Sequence, residues 1–188
     1  VTAMSTDAPS QSKAESKPKR INLRRPDVME QVKAQVLKHY RSDLVDRMRI
    51  TGKIASESAR VTIKLAKEFG FCYGVERCID LAYAALKVFP DKPIYILGEI
   101  IHNPEVNDQI RDMGIRFLSG PNKVADIDDL GADDIVIIPA FGTEVATLEK
   151  LEAKGCQFVD TTCGDVMSVW KRVRNYAKEE VTSIIHGK

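Results

Sequence analysis

From about residue 61 onward, short runs of β-branched and aliphatic residues alternate with segments of helical periodicity, joined by short turns. Few architectures accommodate that alternation: a parallel sheet with helices laid over its faces is the principal one. Val61-Thr62-Ile63-Lys64-Leu65-Ala66 reads as the first strand. Val75, Ile79, Ala82 and Leu86 then recur at helical spacing. Pro93 to Leu97 is the next strand, and Pro104 to Met113 a helix closed by Gly114. A short strand is expected at Ile115 to Leu118 and a buried one at Ile135-Val136-Ile137-Ile138. Glu144 to Lys154 is a helix stopped by Gly155, Cys156 to Val159 a strand, and Val166 to about Lys178 a helix. The predicted class is α/β, with three-layer α/β/α units and mostly parallel sheets.

The preceding part is different in kind. Residues 1–25 are rich in Ser, Lys, Pro and Ala and are expected to be disordered. Pro26, a favourable first helical residue, opens one helix running to about Arg49 on the surface, with His39 solvated. A polar extension over 1–60, partly disordered and with a helix, is therefore expected to precede the α/β part. The closing run Val181-Thr182-Ser183-Ile184-Ile185 is strand-like, and with a first residue Val1 the chain reads as part of a longer protein.

Charge narrows the function classes. The 28 Lys and Arg balance 27 Asp and Glu, so no global field recruits nucleic acid or a membrane surface. No apolar run approaches the ~20 residues of a membrane-spanning helix, and no secretory signal is visible. Four cysteines without a disulfide framework suit a reducing compartment, the cytoplasm, or the plastid stroma for a plant chain.

The chemistry-bearing residues gather where helices begin. Cys72 and Cys163 are each expected where a strand stops and a helix starts, pointing out of the carboxyl edge of a sheet, where ligands of open α/β sheets bind. Unpaired N–H groups at a helix N-terminus lower a thiol's pKa and favour an anionic ligand. A lone cysteine there is more often structural, but two at equivalent edges point to a shared metal or reactive centre. The repeated Cys-x-x-Val (Cys72 to Val75, Cys163 to Val166) hints at an internal repeat. His102 precedes Asn103, an expected N-cap, and Pro104, so its imidazole stands beside a helix N-terminus able to hold a phosphate. Gly142-Thr143 adds an open, N–H-rich turn. Cys78 and Cys156 read as buried hydrophobes, and Tyr73 and Trp170 as packing residues. His186 is either a site residue or the start of a loop.

These same segments resemble the IspH/LytB family of 4-hydroxy-3-methylbut-2-enyl diphosphate reductases of the non-mevalonate isoprenoid pathway. The matching motifs are Gly70-Phe71-Cys72-Tyr73-Gly74-Val75-Glu76-Arg77, Glu99-Ile100-Ile101-His102-Asn103-Pro104, Pro139-Ala140-Phe141-Gly142 and Asp160-Thr161-Thr162-Cys163. The resemblance covers about residues 61–188, more loosely from 26, and is closer to the plant and cyanobacterial branch. It implies three α/β/α units about a pseudo-threefold axis, of which this chain would hold the first over 61–163 and the start of a second over 164–188. Each unit gives one cysteine to a 4Fe–4S cluster, with an electron donor such as ferredoxin or flavodoxin. Two electrons and two protons remove the substrate hydroxyl as water, giving isopentenyl and dimethylallyl diphosphates. Cys72 and Cys163 match two cluster ligands, and His102 matches a histidine that binds the diphosphate.

Three departures qualify the resemblance. Phe141 stands where many members carry a second substrate histidine, and Gly164 where most carry proline. The matched portion also stops before the family's further substrate histidine, proton-relaying glutamate and third cluster cysteine, so this portion alone is expected not to turn over. A non-catalytic α/β module binding zinc or a protein partner through the same edge is the alternative. A nucleotide-binding domain is disfavoured, because neither GxGxxG nor GxxxxGK[ST] occurs.

Overall fold

The computed structural model describes residues 23–56, 60–184 and 186. Its centre is a four-stranded sheet, β3 (Ile94–Ile96), β4 (Arg116–Phe117), β5 (Ile135–Ile138) and β6 (Gln157–Asp160), in the order β4-β3-β5-β6. All three pairings are parallel. The chain goes from β3 outward to β4, then crosses to β5 on the other side of β3 and continues outward to β6. This reversal creates a topological switch point between β3 and β5, the place where open α/β sheets leave a crevice at their carboxyl ends.

The side-chain pattern explains the layers. Residues alternate across a strand, and Ile94, Ile96, Ile135 and Ile137 are buried in one cluster with α3 (Tyr73–Val88) and α4 (Pro104–Asp112). Val136 joins Tyr95, Leu97 and Phe158 in a second cluster with Leu151 of α5 (Val145–Ala153). A strand covered on both faces must be apolar throughout, as β5 is. The helices end where expected: Gly114 and Gly155 adopt positive φ after α4 and α5.

The extension departs most from the sequence reading. Instead of one helix from Pro26 to Arg49 there are two, α1 (Pro26–Tyr40) and α2 (Asp43–Thr51). The break falls at Ser42, whose hydroxyl accepts from the Val45 N–H and caps α2. Far from riding the surface, α1 buries Val28 and Val32 in the α3 cluster. His39 is not solvated: its Nδ1 lies 2.7 Å from the Tyr83 hydroxyl. The segment expected to be disordered lies outside the described residues up to 22, and Leu23 at its end is buried in the core.

The first predicted strand is also reassigned. Val61–Lys64 forms β2, but it pairs antiparallel with β1 (Lys53–Ser56), a strand with no sequence signal, in a separate two-stranded ribbon. All four β2 residues are exposed. The polar flank Lys64, Lys67 and Glu68 could not be covered on both faces, as a parallel strand must be. At the other end, Val181–Ile184 has no regular structure where a strand was expected, and Ile185 is outside the described residues. The last helix, α6, spans Gly164–Tyr176.

Candidate functional site

In a parallel α/β layer each helix runs against the strands, so helix N-termini collect at the strands' carboxyl edge. Cys163 obeys that rule directly: β6 ends at Asp160, and Cys163 is the N-cap of α6. Cys72 is the N-cap of α3, but no sheet strand precedes it, because β2 ends eight residues earlier in the separate ribbon. The expectation of two strand-ending cysteines is thus corrected for Cys72. What the two share is the helix N-terminus.

That shared feature brings the thiols together. A β-carbon built on Gly74 would lie 2.6 Å from the Cys163 Sγ and 3.9 Å from the Cys72 Sγ. The two sulfurs are therefore no farther apart than the sum of those distances. Gly74 is buried between them, and its missing side chain leaves the space into which Cys163 projects. Both thiols are free, Cys72 exposed and Cys163 half-buried. Neither is spent as a hydrogen-bonding cap, so the first-turn N–H groups of α3 and α6 keep their positive potential at the site. Among the described residues no group of three or more metal-ligating side chains gathers. Two soft thiols facing one space suit a soft metal, as part of an iron–sulfur or a zinc ligand set completed elsewhere.

Gly74→Ala in the longer protein is expected to turn the Cys163 side chain away from Cys72. The colliding atom is the end of a rotatable side chain, so the melting temperature should barely move while iron loading falls severalfold. Parallel thermal melts and iron assays check this.

The Cys163 turn is fixed by a network that sequence reasoning missed. The Arg77 guanidinium on α3 donates to the Thr162 carbonyl at 3.2 Å and the Asp160 carbonyl at 3.5 Å, tying the two cysteine-bearing helices together. In the sequence Arg77 stands out only as part of a motif. Thr161 and Thr162 are buried, with Thr161 Oγ1 2.8 Å from the Cys78 Sγ. Burial pushes the Cys78 thiol up to about 11, which fits the structural role expected of it. Cys156 is likewise buried.

Tyr73 is not a packing residue: it is 60% exposed, and its hydroxyl reaches across to α6. The Asp165 carboxylate that it bonds pushes the phenol up to about 12. A β-carbon at Gly164 would sit 3.4 Å from the Tyr73 hydroxyl, ordinary contact, so glycine is not required there. Trp170 is partly exposed, and its indole lies against Gly142, closing the turn that the sequence suggested was open. Beside it, Phe141, Val145, Leu148 and Trp170 line a cleft of about 640 Å³.

His102 stands at the switch point. Asn103 caps α4 through its side-chain oxygen, accepting from the Val106 N–H at 3.2 Å, and Pro104 follows as expected. The loop is pinned from beneath by buried Asn107, which accepts from the Ile100 N–H and donates to the Ile101 carbonyl. The His102 Nδ1 lies 3.0 Å from Glu99 Oε2, and its ring stacks on Phe141 with centroids 4.3 Å apart and planes 14° from parallel. Backbone bonds lace the three edge loops together: Ala140 N–H to the Ile100 carbonyl, and Cys163 N–H to the Ala140 carbonyl. His186 is exposed in the C-terminal segment and lines a different cleft, of about 530 Å³, with Tyr176 and Ile184 of the tail and α6 side.

In sequence and in fold the chain is similar to known proteins. The family model described as LytB protein matches residues 63–188. A 4-hydroxy-3-methylbut-2-enyl diphosphate reductase from Prochlorococcus marinus subsp. pastoris is 45% identical over 157 residues, 83% of this chain and 39% of that protein. The one from Thermosynechococcus vestitus is 44% identical over 159 residues, 85% of this chain and 39% of its own length. The chain thus spans about two fifths of the curated relatives it matches. Among solved structures, (E)-4-hydroxy-3-methyl-but-2-enyl diphosphate reductase aligns with a TM-score of 0.51 at 33% identity, over 63% of this chain and 39% of that one. The Plasmodium falciparum reductase aligns at 0.53 and 31%, over 60% and 33%. With a family model that matches residues 63–188, well over half its length, this chain belongs to the LytB protein family.

Proposed function

We propose that this chain is the amino-terminal part of an iron–sulfur reductase acting on 4-hydroxy-3-methylbut-2-enyl diphosphate. The allylic hydroxyl leaves as water, with two electrons and two protons consumed. One proton departs with the hydroxyl and one is added to carbon, giving isopentenyl or dimethylallyl diphosphate. The observation that carries this reading is the approach of the Cys72 and Cys163 sulfurs on either side of Gly74. Cys72 and Cys163 would hold two irons of a 4Fe–4S cluster, with a third thiolate from sequence beyond residue 188. When bound, such a cluster supplies electrons and a Lewis-acidic iron for the hydroxyl oxygen.

The chain's own residues do the rest. The N-termini of α3 and α6 lower the cost of an anionic centre. His102, with Nδ1 engaged by Glu99, offers Nε2 to the diphosphate, and the N-terminus of α4 adds positive potential beside it. Arg77 keeps the two thiolate turns in register. Electrons come from a small carrier such as a ferredoxin or flavodoxin. Among the described residues no helix is long and apolar enough to cross a membrane.

The test is anaerobic reconstitution, with iron and sulfide, of the longer protein that contains this chain. A brown protein with broad absorption near ~400 nm, acid-labile sulfide and reductive loss of the substrate hydroxyl is the expected result. Stoichiometric zinc without sulfide, and no turnover, would instead establish the non-catalytic module. The 188-residue chain alone is expected not to turn over.

A further inference from the structure

We infer that Phe141 and Glu99 are positioning residues that present His102 to the anion by holding its imidazole in one orientation. This rests on the reading of His102 as a diphosphate contact. His102 is exposed, its side chain 77% accessible, and a ring so placed would ordinarily rotate freely about χ1 and χ2. Here it is held on two sides. Phe141 lies face to face with it, 4.3 Å away and 14° from parallel. Glu99 lies in hydrogen-bonding reach of Nδ1 at 3.0 Å.

A carboxylate only accepts, so this bond puts a proton on Nδ1 and leaves Nε2 as the nitrogen facing a ligand. The stack fixes the plane in which Nε2 swings, and Phe141 has no polar atom with which to contact an anion itself. Topology makes the clamp possible. His102 follows β3 and Phe141 follows β5, neighbouring strands on either side of the switch point. The Asn107 bonds and the Ala140-to-Ile100 bond hold both loops at that spacing. The apolar residue at 141 thus acts through His102, and its contribution to anion binding should vanish when His102 is gone.

The experiment measures inorganic diphosphate binding to the longer protein by calorimetry, in a double-mutant cycle. His102→Ala should weaken binding about 10-fold or more, as loss of a charge-assisted bond does. Phe141→Leu should weaken it about 2- to 10-fold, the range of an aromatic pair. Phe141→Tyr keeps the ring and should restore wild-type affinity. In the His102→Ala background, Phe141→Leu should have no further effect. Phe141 lies 45% exposed, so its truncation leaves the fold standing.

A Phe141→Leu variant at wild-type affinity while His102→Ala is weakened overturns the clamp alone. Equal losses from Phe141→Leu with and without His102 also overturn it, since they would mean a general structural effect. A silent His102→Ala overturns the assignment of His102 and the clamp with it. Binding that follows the expected cycle in a protein without reductase activity would uphold the clamp and reject the proposed reaction.

Discussion

Serine in place of Cys72 or Cys163 is expected to abolish stable cluster loading in the reconstituted longer protein, with the ~400 nm absorption and the acid-labile sulfide falling to background. An alcohol is a poor ligand for iron held among sulfides, and each thiol faces the same small space, so neither can stand in for the other. The four cysteines should divide cleanly. Cys78→Ala and Cys156→Ala are expected to keep the colour and to lose about 1 kcal/mol of stability, the scale of removing a small buried group. Alkylation of the cluster-free protein should follow the same division. Iodoacetamide should modify Cys72 and Cys163 first, because burial pushes the Cys78 thiol up to about 11 and leaves it protonated at neutral pH. Colour that survived both serine substitutions, or vanished with Cys78→Ala, would place the cluster elsewhere.

Gly142→Ala should be the most destabilising Gly→Ala change among the described residues. Gly142 has φ +79°, and a β-carbon there would lie 2.1 Å from Cη2 and 2.4 Å from Cζ2 of Trp170. A left-handed residue with a side chain costs roughly 1–2 kcal/mol. Forcing the indole aside adds overpacking strain of about 1–3 kcal/mol, toward the lower end because Trp170 is partly exposed and can swing out. The expected loss is about 2–4 kcal/mol, read as a lower urea midpoint at unchanged slope. Gly120→Ala supplies the control. It has the same φ of +79° with nothing within 4 Å, so it should lose only the conformational part. The chain's single tryptophan should also report the collision by a red-shifted emission. Equal losses at both glycines would mean that the indole does not sit on Gly142.

How much was legible depended on how local each cause was. β5 could be located to the residue because four consecutive aliphatic side chains, Ile135 to Ile138, have one use: a strand covered on both faces. The N-cap Asn103 with Pro104 marked α4 because capping is settled within one turn. The paired cysteines were visible through their matching helix starts. By contrast, β1 is a four-residue strand that exists because β2 pairs with it, and nothing in Lys53 to Ser56 announces the partner. The burial of α1 likewise depends on α3, a helix more than thirty residues away in the chain. The proposed clamp escaped notice for a related reason. Phe141 was read as the loss of a histidine, since a sequence cannot show that residue 141 stacks on residue 102.

What the amino-acid order determined alone was the layered class, the run of strands and helices from Pro93 to Tyr176, and the residues proposed to bind soft metal and phosphate. Those follow from side-chain periodicity, capping and donor chemistry, all of which act over a few residues. The tertiary structure decided which of these groups meet. The order β4-β3-β5-β6 sets the crevice beside β3 and β5, the absent side chain of Gly74 lets two sulfurs share one space, and Arg77 fixes the turn that carries one of them. Such meetings bring together residues that are 39 to 91 positions apart, His102 with Phe141 and Cys72 with Cys163, and packing alone selects them.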